Sequence, residues 1–214
     1  MTILITGGAR RIGKLMVEHL AAAGNRIIIH FNHSQREANE LLESLPGLGH
    51  VSIQKNLGCQ DEVESLLPEL KKLQCLPDVL INNASTFYQR EMADFTSAEL
   101  LDDYQVNFFA PITLMRDFNN LVQKGKVINI LDRRVNFIDP QSGPYLLAKK
   151  SLRDATLACS EAWAPRITVN AIAPGPVLTP GTKAEELTEP LKKILECIDQ
   201  YIVSQVTGEV IVVE

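Results

Sequence analysis

The feature that most constrains the fold is a regular alternation between short apolar runs and stretches long enough for amphipathic helices. Most of the runs are continuous and β-branched, as is typical of strands covered on both faces. They are ILIT (3–6), RIIIHF (26–31), HVSIQ (50–54), DVLIN (78–82), KVINIL (126–131), RITVNAIA (166–173) and EVIVV (209–213). The helix candidates are 13–24, 34–45, 61–75, 97–122, 145–163 and 184–204. Pro68 and Pro111 should kink or break two of these helices. Such alternation predicts a single α/β domain over residues 1–214, with a doubly wound parallel sheet and right-handed crossovers.

Composition and charge argue against several classes of protein. The chain has 214 residues, of which 45% are hydrophobic and 22% charged, as is ordinary for a soluble globular protein. Its net charge is −5 and it has no basic tract, so a nucleic-acid partner is not expected. No apolar run approaches membrane-spanning length, and the N-terminus does not resemble a signal peptide. The cysteines lack paired spacing, and no metal-ligand spacing occurs. We therefore expect a cytoplasmic protein without a membrane or metal partner.

The turn after the first strand has the composition of a phosphate-binding site. It reads TGGARRIG (6–13), with glycines at positions 7, 8 and 13. Glycines let the chain turn sharply and let backbone N–H groups approach a pyrophosphate, and a helix N-terminus adds its positive dipole end. Because the turn follows the opening strand of an α/β chain, it predicts a dinucleotide site. The alternative is a tight turn that binds no ligand.

The end of the second strand indicates which dinucleotide the site would take. An NAD site usually carries an acid there, which binds the ribose hydroxyls. Here His33 and Ser34 follow the strand and the first acid is Glu37, whereas Arg10 and Arg11 lie in the glycine turn. Because arginine donates bidentately to phosphate, this combination favours NADP(H). The alternative is a solvated loop in which Ser34 caps the next helix.

A tyrosine and a lysine lie four residues apart at the start of a helix candidate. Tyr145 and Lys149 would share one helix face. An ammonium near a phenol lowers the pKa of the phenol, so the tyrosine could exchange a proton during hydride transfer. The spacing is common by chance, and it gains meaning here from the dinucleotide turn.

Five motifs resemble those of the short-chain dehydrogenase/reductase family in order and spacing, over nearly the whole chain. They are TGGARRIG (6–13), NNAS (82–85), Asn107 in YQVNFFAP, YLLAK (145–149) and NAIAPGPVLT (170–179). The resemblance implies a Rossmann-type fold, with Tyr145 as proton donor. Lys149 would hold the nicotinamide ribose, and Asn107 would support a water relay behind it. The other cofactor contacts that it implies are Gly7, Arg10, Arg11, Ile12, Gly13, His33, Ser34, Asn56, Leu57, Asn83, Ala84, Pro174, Gly175, Val177 and Thr179.

The family resemblance also carries two expectations about larger parts of the chain. A substrate lid is expected at about 180–198. A homotetramer is expected, built largely from the helices at 97–122 and 145–163.

Asp132 stands where most of the family has a serine, thirteen residues before the tyrosine. An acid at this position resembles the pattern of the pteridine reductase branch, and two further stretches resemble that branch. NNASTFY places Phe87 where a ring would stack over a pterin, and the RRIG turn puts Arg11 where it would reach both cofactor phosphate and pterin. Ser85 would either touch the substrate or bond its own loop.

The chemistry of a pterin is consistent with an acid at this position. A carboxylate can accept hydrogen bonds from ring N–H and amino groups, or help to relay a proton through Tyr145. A flat heterocycle also gains from stacking on Phe87. Two alternatives stay open: an ion pair of Asp132 with Arg133 or Arg134, and core packing of Phe87, with Tyr88 as the ring that faces the ligand instead.

The sequence therefore predicts an NADPH-dependent reductase that transfers hydride to a C=N bond of pterins or dihydropterins, with dihydrofolate as a further candidate. The alternatives are a carbonyl reductase, for example of 3-ketoacyl thioesters, and a protein that senses NADP without chemistry.

Overall fold

A computed structural model describes residues 1–177 and 188–214, which form a seven-stranded sheet between two layers of helices. The strands are β1 (Thr2–Ile5), β2 (Arg26–Phe31), β3 (Val51–Gln54), β4 (Val79–Asn82), β5 (Gly125–Ile130), β6 (Ile167–Pro174) and β7 (Val210–Val213). The helices are α1 (Arg11–Ala22), α2 (Gln35–Ser44), α3 (Gln60–Lys72), α4 (Ser97–Tyr104), α5 (Ala110–Leu121), α6 (Gly143–Trp163) and α7 (Glu189–Val203). A π-helical turn, Gln105–Phe109, joins α4 to α5, and a 3₁₀ turn, Arg133–Asn136, follows β5.

All neighbouring strands of the sheet run parallel, in the order β3-β2-β1-β4-β5-β6-β7. The predicted doubly wound parallel sheet is therefore confirmed. Strand order reverses between β1 and β4, where Ile5 pairs with Ile81. A crevice opens at such a switch point beyond the carboxyl ends of the strands, and this is where open α/β sheets bind ligands.

Each face of the sheet is covered by its own apolar layer. Residues such as Met16 of α1 and Ile198 of α7 pack on one face, and Phe118 of α5 and Leu152 of α6 pack on the other, all fully buried. Burial on both faces removes the need for polar residues at alternate positions. The strands consequently read as continuous apolar runs, which is why the sequence located them closely.

The two prolines within helix candidates behave differently. Pro68 lies inside α3 without ending it, so the expected break there is wrong. Its neighbours Leu67 and Leu70 are buried in the core, and packing of this kind offsets the backbone hydrogen bond that proline removes. Pro111 lies in the first turn of α5, directly after the π-helical turn, where its missing N–H has no intrahelical partner. The candidate at 97–122 is therefore two helices.

The predicted lid overlaps a segment outside the described residues. Residues 178–187, which include Thr179, lie in that segment. The last part of the lid range belongs to α7, and from Leu191 onward this helix packs in the core. A lid ahead of α7 stays a prediction.

Residues 1–177 and 188–214 contain neither a membrane-spanning helix nor a cluster of metal-binding side chains. No helix there is long and apolar enough to cross a membrane, and no group of three or more His, Cys, Asp or Glu side chains could hold a metal ion.

Candidate active site

A cleft of about 940 Å³ lies at the carboxyl ends of the strands and crosses the switch point. Most of the predicted site residues line it. They are Gly7, Arg10, Arg11, Ile12, Gly13, His33, Ser34, Asn56, Leu57, Asn83, Ala84, Ser85, Phe87, Asp132, Tyr145, Lys149, Pro174, Gly175 and Val177. Asn107 lies behind the wall of the cleft, and Thr179 lies outside the described residues. The fold thus gathers residues from distant parts of the chain at one crevice.

The glycine turn leaves its backbone open to a ligand. Gly7 has a φ of +63°, which favours glycine, and a Cβ on Gly13 would lie 2.1 Å from the Gly7 carbonyl oxygen. Helix α1 begins at Arg11 with no capping side-chain hydrogen bond. Its first N–H groups therefore have no intrahelical or capping partner at the cleft wall, and such groups bind anions. The turn fits a pyrophosphate.

His30, near the end of β2, holds this turn in place through hydrogen bonds. Its Nδ1 accepts from the Gly7 N–H at 3.0 Å, and its Nε2 lies 3.0 Å from the Lys55 carbonyl oxygen. Nε2 must therefore donate, which fixes a neutral ring. Burial lowers the pKa of His30 to about 4, although the bond to Lys55 opposes this. The imidazole is thus a structural link between the glycine turn and the segment after β3.

Thr6 and Asn83 join the same turn to the loop after β4. The Thr6 hydroxyl accepts from the backbone N–H groups of Asn83 and Ala84, both at 2.9 Å. The Asn83 side-chain amide donates to the carbonyl oxygens of Thr6 (2.9 Å) and Gly7 (3.2 Å). Asn83 therefore supports the cradle of the turn.

The corner beyond β2 combines exposed polar and basic groups. Arg10 is 64% exposed and lies 3.9 Å from a carboxylate oxygen of Glu37. His33 is exposed, and Ser34 occupies the position before α2 without making a capping hydrogen bond. Arg11 has a φ of +53°, which is uncommon for a residue with a side chain. Because Ser34 makes no capping hydrogen bond, its hydroxyl does not cap α2 as the alternative interpretation of this loop expected.

Asp132 makes contacts on both of its carboxylate oxygens. Oδ1 accepts from the backbone N–H of Arg134 (2.9 Å) and so caps the 3₁₀ turn. Oδ2 accepts from the hydroxyl of Tyr145 at 3.2 Å. The guanidinium of Arg134 bonds both oxygens, Nε to Oδ1 at 2.9 Å and Nη2 to Oδ2 at 2.8 Å. The carboxylate is therefore in the cleft and in an ion pair at the same time.

The electrostatics of the cleft differ from the sequence expectation for the tyrosine. Burial raises the pKa of Tyr145, and the charge and hydrogen bond of Asp132 raise it further. The expected lowering by Lys149 is therefore wrong in this arrangement, because burial and the carboxylate outweigh it. Burial works against ionisation of Asp132, but the bonds from Arg134 hold its pKa below the usual range. Tyr145 is thus a neutral phenol, the form that can give up a proton.

Lys149 is a buried cation behind the tyrosine. Its Nζ donates to the carbonyl oxygen of Ile130 at 2.9 Å and lies 6.0 Å from the centroid of the Tyr145 ring. Burial lowers the pKa of Lys149 to about 8, with the Asp132 charge acting in the opposite direction. Below about pH 8 the ammonium form prevails.

Phe87 stands in the wall of the cleft. It is 51% exposed, which excludes core packing. Its ring meets the ring of Tyr145 edge to face, with centroids 4.9 Å apart, and the guanidinium carbon of Arg134 lies 5.4 Å from its centroid. Tyr88 instead lies under Arg90, at 4.6 Å, and it does not line the cleft.

Asn107 supports the loop that carries Phe87. It is fully buried in the π-helical turn, and its amide donates to the carbonyl oxygens of Thr86 (3.0 Å) and Asp103 (2.9 Å). Its Oδ1 accepts from the Ser85 hydroxyl at 2.6 Å. Within the described ranges Asn107 makes no hydrogen bond to Lys149, so a relay behind the lysine stays a prediction.

Three residues of the site were not identified from motifs. Arg134 was considered only as an ion-pair partner, and neither Thr6 nor His30 was singled out. A usable signal for Arg134 was its spacing of two residues after Asp132, because a side chain that starts a tight turn commonly bonds the backbone two residues on.

Comparisons with known proteins agree with this fold. A family model described as short chain dehydrogenase matches residues 1–190. Among solved structures, FolM alternative dihydrofolate reductase 1 of Brucella suis, in complex with NADP, is 32% identical. That match covers 100% of this chain and 93% of the other, with a TM-score of 0.90.

Curated relatives carry several different names. L-2,3-butanediol dehydrogenase of Corynebacterium glutamicum is 30% identical over 82% of this chain and 71% of its own. The 3-oxoacyl-[acyl-carrier-protein] reductase FabG of Staphylococcus aureus is 27% identical over 89% of this chain and 79% of its own. The chain spans about two thirds of the length of two others. These names share a reaction type and differ in substrate.

Proposed function

Because the chain belongs to the short-chain dehydrogenase/reductase family, we propose that it is an NADPH-dependent reductase of pterins and dihydropterins, with dihydrofolate as a further candidate substrate. The observation that carries the proposal is the 3.2 Å hydrogen bond between the Tyr145 hydroxyl and the Asp132 carboxylate, beside the exposed ring of Phe87. A ketone offers a carboxylate no N–H group, whereas a pterin offers several. The name of the Brucella relative supports the same substrate class.

The residues of the cleft fit NADP(H). The glycine turn and the uncapped start of α1 would hold the pyrophosphate. Arg10, Arg11, His33 and Ser34 surround the corner where the extra phosphate would lie. Glu37, the acid closest to that corner along the chain, is paired with Arg10. Bound NADPH would supply the hydride, and the two Brucella structures at 32% identity contain NADP.

Tyr145 supplies the proton of the proposed reaction. One hydride adds to the carbon of a ring C=N bond and one proton passes from the Tyr145 hydroxyl to the nitrogen, giving a CH–NH unit; solvent then returns a proton to the tyrosine. The ammonium of Lys149 favours the phenolate that remains after transfer. Asp132 raises the pKa of Tyr145, so the phenol keeps its proton until a substrate nitrogen can take it.

Asp132 orients the substrate in this mechanism. Its pKa lies below the usual range, so it accepts hydrogen bonds from ring N–H or amino groups. Phe87 is exposed enough to stack against a flat ring. The two groups together would hold a nitrogen heterocycle with its C=N bond near Tyr145.

A steady-state assay tests the substrate class. NADPH oxidation is followed with a dihydropterin, with dihydrofolate and with a 3-ketoacyl thioester as substrates. We expect turnover of the first two. Turnover of the thioester without any pterin turnover would refute the proposal and favour the carbonyl reductase.

Replacing Asp132 by Ser tests the observation that carries the proposal. We expect kcat/KM for the dihydropterin to fall by roughly 100-fold, because a substrate hydrogen bond to a charged acceptor is lost, while the affinity for NADPH changes little. Asp139→Ser is the matched control, since Asp139 also bonds Arg134 but does not contact Tyr145; it should lose much less. Equal losses of pterin turnover and NADPH binding in Asp132→Ser would indicate a structural role.

Tyr145→Phe separates an enzyme from a sensor of NADP. Loss of a general acid typically lowers the rate by about 10²–10⁴-fold, so we expect that loss in kcat with NADPH binding retained. The measurement pairs turnover with a fluorescence titration of NADPH. Unchanged turnover would rule out the proton-transfer role.

A further inference from the structure

We propose that Arg134 is a positioning residue for this reaction: it fixes the Asp132 carboxylate against Tyr145 and holds the Phe87 ring beside them. The inference rests on the proposed function, and it adds a residue that none of the family motifs contains.

The hydrogen bonds of Arg134 fix its orientation. Besides the two bonds to Asp132, its Nη1 donates to Asp139 Oδ2 at 2.9 Å and to the Ser142 hydroxyl at 2.7 Å. These bonds account for four of the five N–H groups of a guanidinium. Ser142 is buried and Asp139 belongs to the segment that leads into α6. The guanidinium plane therefore has little freedom to turn.

The same guanidinium lies over two aromatic rings of the cleft. Its carbon lies 5.4 Å from the centroid of Phe87 and 5.8 Å from that of Tyr145. Phe87 is half exposed, and Arg134 and Tyr145 are two of the groups that contact its ring. A cation over an aromatic face is attracted by the quadrupole of the ring, and more strongly where water is excluded. One side chain thus touches the acid, the phenol and the ring of the proposed site.

Arg134 is also the main group that keeps Asp132 ionised. The titratable and charged groups that act on this carboxylate are Arg134 from its own turn, and Tyr145 and Lys149 from α6. Burial favours the protonated acid, and the bonds from Arg134 overcome that effect. Without them the carboxyl would take up a proton closer to neutral pH. A protonated acid is a donor, and it would no longer accept bonds on both oxygens from a substrate.

Lysine cannot replace this arrangement. An ammonium lacks the parallel N–H pair that matches a carboxylate, and it lacks a planar face for the rings. We therefore expect Arg134→Lys to keep the charge but lose much of the orientation, and Arg134→Gln to lose both.

The test compares pH profiles of kcat/KM for a dihydropterin. In Arg134→Gln we expect the acid limb, where Asp132 protonates, to move up by about 1–3 pH units, with KM rising more than kcat falls. Arg153→Gln is the matched control. Arg153 has the same exposed fraction as Arg134, 30%, and donates to the Val135 carbonyl oxygen of the same turn at 3.0 Å, but it does not bond Asp132. Its acid limb should stay in place.

A second readout needs no substrate. Carbon-13 labelling of aspartate follows the titration of the Asp132 carboxyl directly, with the Asp132→Asn variant assigning its signal. An unchanged titration in Arg134→Gln, or an acid limb no different from that of Arg153→Gln, would overturn the inference. Absence of pterin turnover by the wild-type protein would instead refute the proposed function, whatever the carboxyl titration shows.

Discussion

Burial and charge act on neighbouring ionisable groups of the cleft in different ways. The bonds from Arg134 keep Asp132 ionised, whereas burial and the charge of Asp132 keep Tyr145 neutral. Lys149, fully buried, has its pKa lowered to about 8. At neutral pH the site therefore presents an acceptor, a proton donor and a cation within one small volume, which suits reduction of a ring that needs orientation and a proton together.

His30 gives a prediction for the pH dependence of stability. Its pKa is about 4 in the folded protein against an ordinary 6.5, so the unfolded chain binds the proton more readily. The free energy of unfolding should therefore fall as the pH drops from about 6.5 to 4, by on the order of 3 kcal/mol from this residue.

A matched variant isolates this contribution. In His30→Asn the amide oxygen can still accept from Gly7, but the side chain does not titrate. Urea unfolding at several pH values should show a steeper loss of stability in the wild type than in the variant. Parallel curves for the two proteins would contradict the role of His30.

Some of the site residues that sequence analysis located lie close together because of their local spacing. Tyr145 and Lys149 share a helix, and Gly7 and Gly13 share one turn, so their proximity follows from the chain itself. The direction of the Tyr145 pKa shift could not be predicted, because it depends on burial and on a carboxylate thirteen residues away in sequence. The role of Arg134 likewise depends on a loop from another part of the chain.

Arg90 connects the loop after β4 to the start of α6 by a hydrogen bond. The Arg90 carbonyl oxygen accepts from Gly143 N–H at 3.0 Å, which joins the loop after β4 to the start of α6. Its guanidinium bonds Glu99 at 3.2 Å and the fully buried Asp103 at 2.7 Å. The loop that carries Phe87 is thereby anchored to α4.

Removal of Arg90 should be strongly destabilising. Arg90→Ala would leave the buried charge of Asp103 without its partner, and breaking a buried pair in this way typically lowers the free energy of unfolding by about 3–5 kcal/mol. Arg116→Ala is the control, because its pair with Asp117 is at the surface and should contribute at most about 1 kcal/mol. Chemical denaturation measures both. A double variant, Arg90→Met with Asp103→Leu, should recover part of the loss, and no recovery would argue against the buried charge as the cause.

The sequence predicted secondary structure most closely in the strands, which are buried on both faces. Strand positions followed from continuous apolar runs, because both faces of the sheet are covered. The break that Pro111 predicted in the helix candidate at 97–122 is confirmed, whereas the π-helical turn between the two helices has no distinct residue pattern. At Pro68 the sequence predicted a kink or break, but α3 continues through this residue because its packing in the core offsets the local penalty of proline.

Several apolar side chains are exposed along the segment from α4 to α6. Leu101 is 60% exposed, Leu157 42%, Leu147 39% and Phe109 37%. Apolar residues at a surface can form contacts between subunits where they lie together in a patch. The homotetramer that the family resemblance implies stays a prediction.

Sedimentation velocity tests this assembly. We expect the wild-type protein to sediment as a tetramer and Leu157→Asp to sediment as a smaller species, because a charge in an apolar interface loses its hydration. Leu48→Asp, at a position that is 94% exposed outside these helices, should leave assembly unchanged. A wild-type protein that sediments as a monomer at every concentration would contradict the prediction.

The hydroxyl of Thr6 accepts hydrogen bonds from the N–H groups of Asn83 and Ala84, and this has a consequence for the order in which ligands bind. This oxygen atom, together with the Asn83 amide, joins the turn that would bind the dinucleotide to the loop that leads to the aromatic wall. A first ligand that draws the turn into its bound shape thereby also biases the loop toward its own. Compulsory-order kinetics, in which the nucleotide enters first and departs last, is the behaviour that such a shared anchor favours.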